Sequence, residues 1–336
     1  MKLSGRFYGV AVLGMSLAAS GQTCTTQARM QSSMRMPMVD TALMLGSAVK
    51  SDDTNAVKTA SVVEYANNFA PVENVIQNTS DKLRGDTLRV THVYLLDTST
   101  EKADGVNELD VTCPLEGTTS EVDFSIPGLG PGVYGFAMVE AAGGDRPWLL
   151  SFLLQRQGSS WKMEGFYPHA RTAAGKDGLW YWTDARKKAA AKEPWLAWLE
   201  YSESERLLSP AGFVSTTNLN RLRAEQRMAA PPELADGMSV DAPLVIRGVG
   251  GQEFRFTSIA PESASDGASL HLVLHYAAEA LPAAEADRVR NLASAEAMLL
   301  AHPELRQGFS GVIVFADVPG QNPSALSVPM EEIPKG

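Results

Sequence analysis

The sequence is short of cysteine, of positive charge and of every compact catalytic signature, and each shortage excludes something. Two cysteines among 336 residues, Cys24 and Cys113, are too few for a disulfide scaffold, and no His stands near either to suggest a catalytic thiol. Lys and Arg total 29 against 39 for Asp and Glu, a formal charge of -10, which argues against an extended nucleic-acid or anionic-membrane footprint. There is no Gly-x-x-x-x-Gly-Lys-Ser/Thr loop, no Gly-x-Ser-x-Gly elbow, no His-Glu-x-x-His and no Asp-rich calcium loop. Gly248, Gly250 and Gly251 form a turn between strands, without the following helix that a dinucleotide site needs. His271 and His275 are four apart, a spacing that converges on an ion only in a helix; along a strand it separates the rings by about 13 Å. No metal and no cofactor is therefore expected.

What is present is an ordinary globular composition, 44% hydrophobic and 20% charged, long enough for roughly two or three small cores. Residues 1–21 read as a signal peptide: Lys2 and Arg6 supply positive charge, 8–19 an apolar run, and Ala18-Ala19-Ser20-Gly21 a small-residue cleavage zone. That run falls short of the about 20 residues a membrane span needs, so export to the periplasm or beyond is expected, with a retained anchor as the other reading. Gly21-Gln22-Thr23 does not offer the small, apolar lead-in of a lipidated Cys24. In an oxidising compartment Cys24 and Cys113 could pair or remain two separate thiols; the spacing leaves both open.

The period of the apolar residues divides the remainder. Residues 22–40, rich in Met, Gln, Ser and Thr, show none and are expected to be a flexible lead-in. Helical spacing over 41–81 gives way to strands at 88–96, 108–112, 121–126, 134–141, 148–155 and 161–167, punctuated by turns such as 127–132, so 41–170 is expected to be an α+β sheet domain. Helices follow at 178–192, at 194–208 with Pro194 in the first turn, and at 217–228, predicting a helical subdomain over 171–230. After the Pro231-Pro232 linker, strands at 244–246, 253–258 and 269–276, a helix at 283–301 and a strand at 311–316 make 231–336 a second α+β domain with a Pro-rich surface tail. The whole is an α+β fold: N-terminal helices with an antiparallel meander, a small three-helix unit, then a second small α+β unit. Charge is uneven, with 11 bases to 8 acids over 161–230 and 6 bases to 14 acids over 231–336. The acidic end reads as a solvated face or as a separate partner-binding module.

Five of the six tryptophans lie between Trp161 and Trp198, beside Phe166, Tyr167, Tyr181 and Tyr201. Such rings either cement helices onto a sheet or line a cleft. Trp180 and Trp182, two apart on a helix, must face different ways. The candidate ligand-binding residues are Trp180, Tyr181, Trp182, His169 and Asp177. His169 and Asp177 also supply the ingredients of acid–base chemistry, although Asp177 is equally placed to cap the helix after it.

Three stretches, Trp161-Lys162-Met163-Glu164-Gly165-Phe166-Tyr167-Pro168, Asp177-Gly178-Leu179-Trp180-Tyr181-Trp182 and His302-Pro303-Glu304-Leu305-Arg306-Gln307-Gly308-Phe309, resemble a family of exported bacterial proteins of unknown function. The resemblance covers about 85–330. The order of elements in the first half, closing on a Trp-Lys-x-x-Gly strand, also resembles the nuclear transport factor 2-like cone, a fold that implies either a ligand-binding module or an isomerase-type enzyme. The expected function is binding of a partner protein or an envelope-derived ligand in a cleft between the first sheet and the Trp-rich helices. A cone-type enzyme using His169 and Asp177, or an envelope scaffold, are the alternatives.

Overall fold

A computed structural model describes residues 22–335 except 101–107, 116, 236 and 265–266. The expected signal segment lies outside the described residues. The first unit begins with β1 (Thr23–Thr26), α1 (Ser32–Lys50), α2 (Thr54–Thr59), α3 (Val63–Asn67) and α4 (Ala70–Ser80). Asp53 starts α2 by accepting the Ala56 amide at 2.9 Å. The meander follows as β2 (Thr87–Asp97), β3 (Glu108–Pro114), β4 (Glu121–Pro127), β5 (Val133–Ala142), β6 (Trp148–Gln157) and β7 (Ser160–Ala170).

These strands form two sheets. One has the order β1-β2-β5-β6-β7, and all its pairings are antiparallel. Its first face, with Val139, Leu150, Phe152 and Met163, packs on Met38, Leu45, Val49 and Ile76 of the helices. Glycine at 135 gives α1 its seat, because a Cβ there would meet the Met38 sulfur at 2.8 Å. The opposite face, with Tyr94, Tyr134, Phe136 and Leu153, is covered by Leu109, Val111 and Phe124 of β3 and β4. Cys24 in β1 and Cys113 in β3 form a disulfide, with Cα atoms 5.4 Å apart, that joins the two sheets.

The chain then runs through β8 (Thr172–Ala173), β9 (Lys176–Asp177), α5 (Gly178–Ala190), α6 (Pro194–Leu208), β10 (Val214–Thr216) and α7 (Thr217–Ala229). The last elements are β11 (Leu244–Arg247), β12 (Glu253–Ser263), β13 (Leu270–Ala277), α8 (Ala284–Ala301), α9 (Leu305–Gly308), β14 (Gly311–Asp317) and β15 (Ser324–Pro329). The second sheet runs β11-β12-β13-β14-β15, antiparallel except between β13 and β14. A parallel pair needs a long crossover, and α8 with α9 supplies it. Phe254, Phe256, Leu272, Leu274, Val312 and Val314 form the covered face, packed on Met298 and Leu299 of α8 and on Trp195, Leu196 and Leu199 of α6. A buried polar chain pins α8: the Tyr276 hydroxyl donates to Asn291 at 2.6 Å, and Asn291 Nδ2 donates to Asp287 at 3.2 Å.

The α+β class is as the sequence predicts, but two of its finer expectations are corrected. Residues 22–40 are no flexible lead-in: β1 pairs with β2, α1 begins at Ser32, and Met38 has no exposed surface. The tail after Val318 does not drape over the surface, because β15 completes the second sheet and Ile333 is buried. The helices within 171–230 pack on one another around Trp182, Ala185, Tyr201 and Leu222; α6 also shares a core with the second sheet, and β10 pairs with β4 of the first unit. Among the described residues no helix is long and apolar enough to cross a membrane.

Candidate functional site

The Trp-rich helices open a cleft, and they open it against the second sheet rather than the first. Asp177 starts α5 by accepting the Trp180 amide at 2.8 Å. Glycine at 178 lets α5 approach α6, since a Cβ there would meet Leu208 Cγ at 2.5 Å; Ser204 Oγ closes the contact by donating to the Gly178 carbonyl at 2.7 Å. With the helix thus rotated, three consecutive rings go three ways. Trp180 stays 41% exposed, with Lys176 Nζ 5.3 Å above its ring and Tyr181 edge-on at 5.1 Å. Tyr181 is buried and donates to the Ala173 carbonyl at 3.0 Å.

Trp182 turns away to α7. Its indole donates to Glu225 at 2.7 Å and the Arg186 guanidinium lies 4.6 Å from its ring. Hydrogen bonding from Arg186, with further bonds from Trp182 and Arg221, holds the Glu225 carboxyl down at about 2. Trp182 is therefore part of the packing that joins α5, α6 and α7, not of the cleft.

The cleft encloses about 520 Å³ between Trp180 and Tyr181 on one side, Leu196 and Leu199 on α6, and Leu270 and Phe309 at the end of the second sheet. Lys176, Asp184 and Lys188 add charge, and Glu200 and Glu203 project from α6. Glu203 has a fully buried side chain that pairs with Arg206, whose Nε donates at 2.8 Å. Glu200 differs. Burial pushes its carboxyl up to about 8, helped by the charge and hydrogen bond of Asp184 and opposed by Lys188. Its Oε2 is buried without a hydrogen-bond partner. At neutral pH Glu200 is largely a neutral acid, able to donate to a ligand as well as to accept from one.

Of the five candidate residues, the cleft brings together Trp180 and Tyr181. Asp177 is spent on the helix cap, and His169 lies on β7 in a different pocket, where burial first and then Arg171 and Arg206 lower its pKa to about 4. No acid–base pair of His169 and Asp177 is formed, since His169 Nε2 has no hydrogen-bond partner. Glu200 and Phe309 were not among the candidates. Glu200 had a signal, being the one charge within the seven-residue run Trp195–Tyr201, where a charge on an apolar helix face calls for an explanation. Among the described residues no group of three or more His, Cys, Asp or Glu is placed to hold a metal. His271 and His275 stand on β13, as the strand reading requires. In comparisons with known proteins, the chain matches no family model, no curated protein and no solved structure.

Proposed function

We propose that this chain is an exported, non-catalytic binding protein that holds an envelope-derived ligand, with a sugar or peptide part, in the cleft between α5, α6 and the second sheet. The observation that carries this reading is the half-exposed Trp180 ring at a pocket that Leu196, Leu199, Leu270 and Phe309 make apolar and that Glu200, whose Oε2 has no hydrogen-bond partner, also lines. A stacking ring with a few convergent polar groups is the usual make-up of a small-molecule site. Export is supported by the charged and apolar leader at 1–21, by the resemblance to exported bacterial proteins, and by the Cys24–Cys113 disulfide, which persists in oxidising compartments. Native mass spectrometry of the protein from its exporting host tests the reading. A retained mass that Trp180→Ala loses and His275→Ala keeps is the expected result. A bare chain in all three proteins would sink it.

A second reading, acid catalysis at the same cleft, is favoured by Glu200 rather than by His169 and Asp177. A neutral carboxyl beside a second acid, Asp184, is what proton donation to a leaving group requires. Turnover of a ligand found in the cleft, abolished by Glu200→Gln with binding retained, would establish this reading; unchanged ligand after prolonged incubation would remove it.

A further inference from the structure

A second pocket lies where the two units meet, and its chemistry is the reverse of the cleft's. It encloses about 460 Å³ and is lined by Lys82 after α4, Arg146 and Trp148 at the start of β6, His169 on β7, Arg206 on α6 and Ser263 on β12. Three cations thus converge in a chain of net charge -10. Of the acids nearby, Glu203 is taken by Arg206, and the exposed Glu262 of β12 is the one carboxylate in the lining, so the cations outnumber the acids that line the pocket three to one. Arg146 is held from both units, donating through Nε to the Thr172 carbonyl at 2.6 Å and through Nη2 to Ser263 Oγ at 3.0 Å. Lys82 Nζ lies 5.3 Å from the centre of the Trp148 ring and makes no ion pair among the described residues.

Two ring nitrogens of the lining are left over. Trp148 is nine-tenths buried, yet its Nε1–H has no acceptor, and His169 Nε2 is buried without a partner. Buried polar groups are nearly always paired, so two unpaired nitrogens in one pocket ask for a ligand. We propose that this pocket binds a phosphate-class oxyanion, either the free ion or the phosphoryl group of a small molecule. A tetrahedral dianion offers a guanidinium, an ammonium and ring N–H donors more acceptor oxygens and more charge than a carboxylate does. Burial first, and then the charges of Arg171 and Arg206, keep His169 neutral, and Arg206 also lines the pocket. The pocket is larger than one phosphate ion, which leaves room for an organic body against Trp148.

The test is calorimetric titration of the full mature chain with inorganic phosphate and, separately, with glycerol 3-phosphate at low ionic strength, alongside the Trp148 indole signal in nitrogen-15 spectra. One-to-one binding that shifts the Trp148 indole N–H is expected. Lys82→Gln should weaken it about tenfold, as loss of one charged hydrogen bond does. Lys82 is exposed and unpaired, so this variant keeps the fold, and Trp180→Ala at the other cleft should leave the affinity unchanged. Tighter binding of the ester assigns a phosphorylated compound, and tighter binding of the ion assigns phosphate itself. Absence of heat and of an indole shift with both ligands at millimolar concentration, or binding indifferent to Lys82→Gln, would overturn the proposal.

Discussion

The two large sheets are covered in different ways. In the first, β6 has seven consecutive buried residues from Trp148 to Leu154, because helices cover one face and the β3-β4 hairpin lies over the other. In the second, β12 alternates buried with exposed positions, because α6 and α8 cover a single face. Its open face carries His275, stacked on Phe315 at 4.6 Å and hydrogen-bonded to Asp317 at 3.0 Å. A one-sided sheet leaves room along its ends and edges, and both pockets draw residues from it: Leu270 and Phe309 for the cleft, Ser263 for the junction. The two-sided sheet carries one end of the disulfide and supplies Trp148 and His169 to the junction.

That contrast can be broken by experiment. Phe256→Ala, beneath α6 and α8, should destabilise the protein by about 3–5 kcal/mol through lost burial and a cavity, whereas Phe315→Ala on the open face should cost about 1 kcal/mol or less. Urea unfolding of both variants decides it: equal costs would mean that both faces of the second sheet are covered. Next in size is the disulfide. Cys24→Ser with Cys113→Ser removes a cross-link spanning 89 residues of sequence, a loss of about 4 kcal/mol in the chain-entropy model, borne by the first unit. Hydrogen exchange should show β2 and β5 deprotected and β13 unchanged. Equal deprotection in both sheets would show one cooperative unit instead of two.

The pH response sharpens the comparison, because the units carry opposite shifts. His169, lowered from 6.5 to about 4, is neutral in the folded chain where the unfolded chain binds a proton, so its contribution is lost as pH falls from about 6.5 towards 4. Glu200, raised from 4.5 to about 8, keeps a proton that the unfolded chain releases, so its contribution is complete below pH 4.5 and lost as pH rises towards 8. Thermal melts across pH 4–8 should flatten on the acid side in His169→Gln and on the alkaline side in Glu200→Gln; unaltered profiles would contradict these assignments. The smallest effect expected is that of Asp177→Ala, about 1 kcal/mol for a lost cap, with ligand retention unaffected because the side chain serves α5 and not the cleft.

Local chemistry was legible wherever one segment settles its own structure. Asp53 and Asp177 cap the helices they precede, and the alternation that begins at Glu253 marks β12 and its covered face, although the strand runs on to Ser263, past the expected end at 258. Where a distant partner decides, the signal fails. Ser324–Pro329 is a six-residue stretch in a Pro-rich tail, and it becomes β15 because backbone groups of β14 offer it a ladder, which side-chain periodicity does not report. The lead-in failed for the same reason: Thr23–Thr26 is a strand because β2 has an open edge beside it. For the cleft, sequence arithmetic required Trp180 and Trp182 to diverge, but not which of them would face a ligand.

The sequence by itself determined the α+β class, most element spans, the lack of compact catalytic and metal-binding motifs, and the concentration of aromatic rings in one stretch. The tertiary structure alone decided that α6 packs on the second sheet, that Cys24 meets Cys113, and that Glu200 stands as a half-buried acid in the cleft that Trp180 lines while His169 stands among cations. The physical reason is one of range. Caps and periodicity act within a few residues, whereas burial, charge proximity and strand partners are set by segments far apart in the chain, and these fix which side chains share a pocket and in what protonation state.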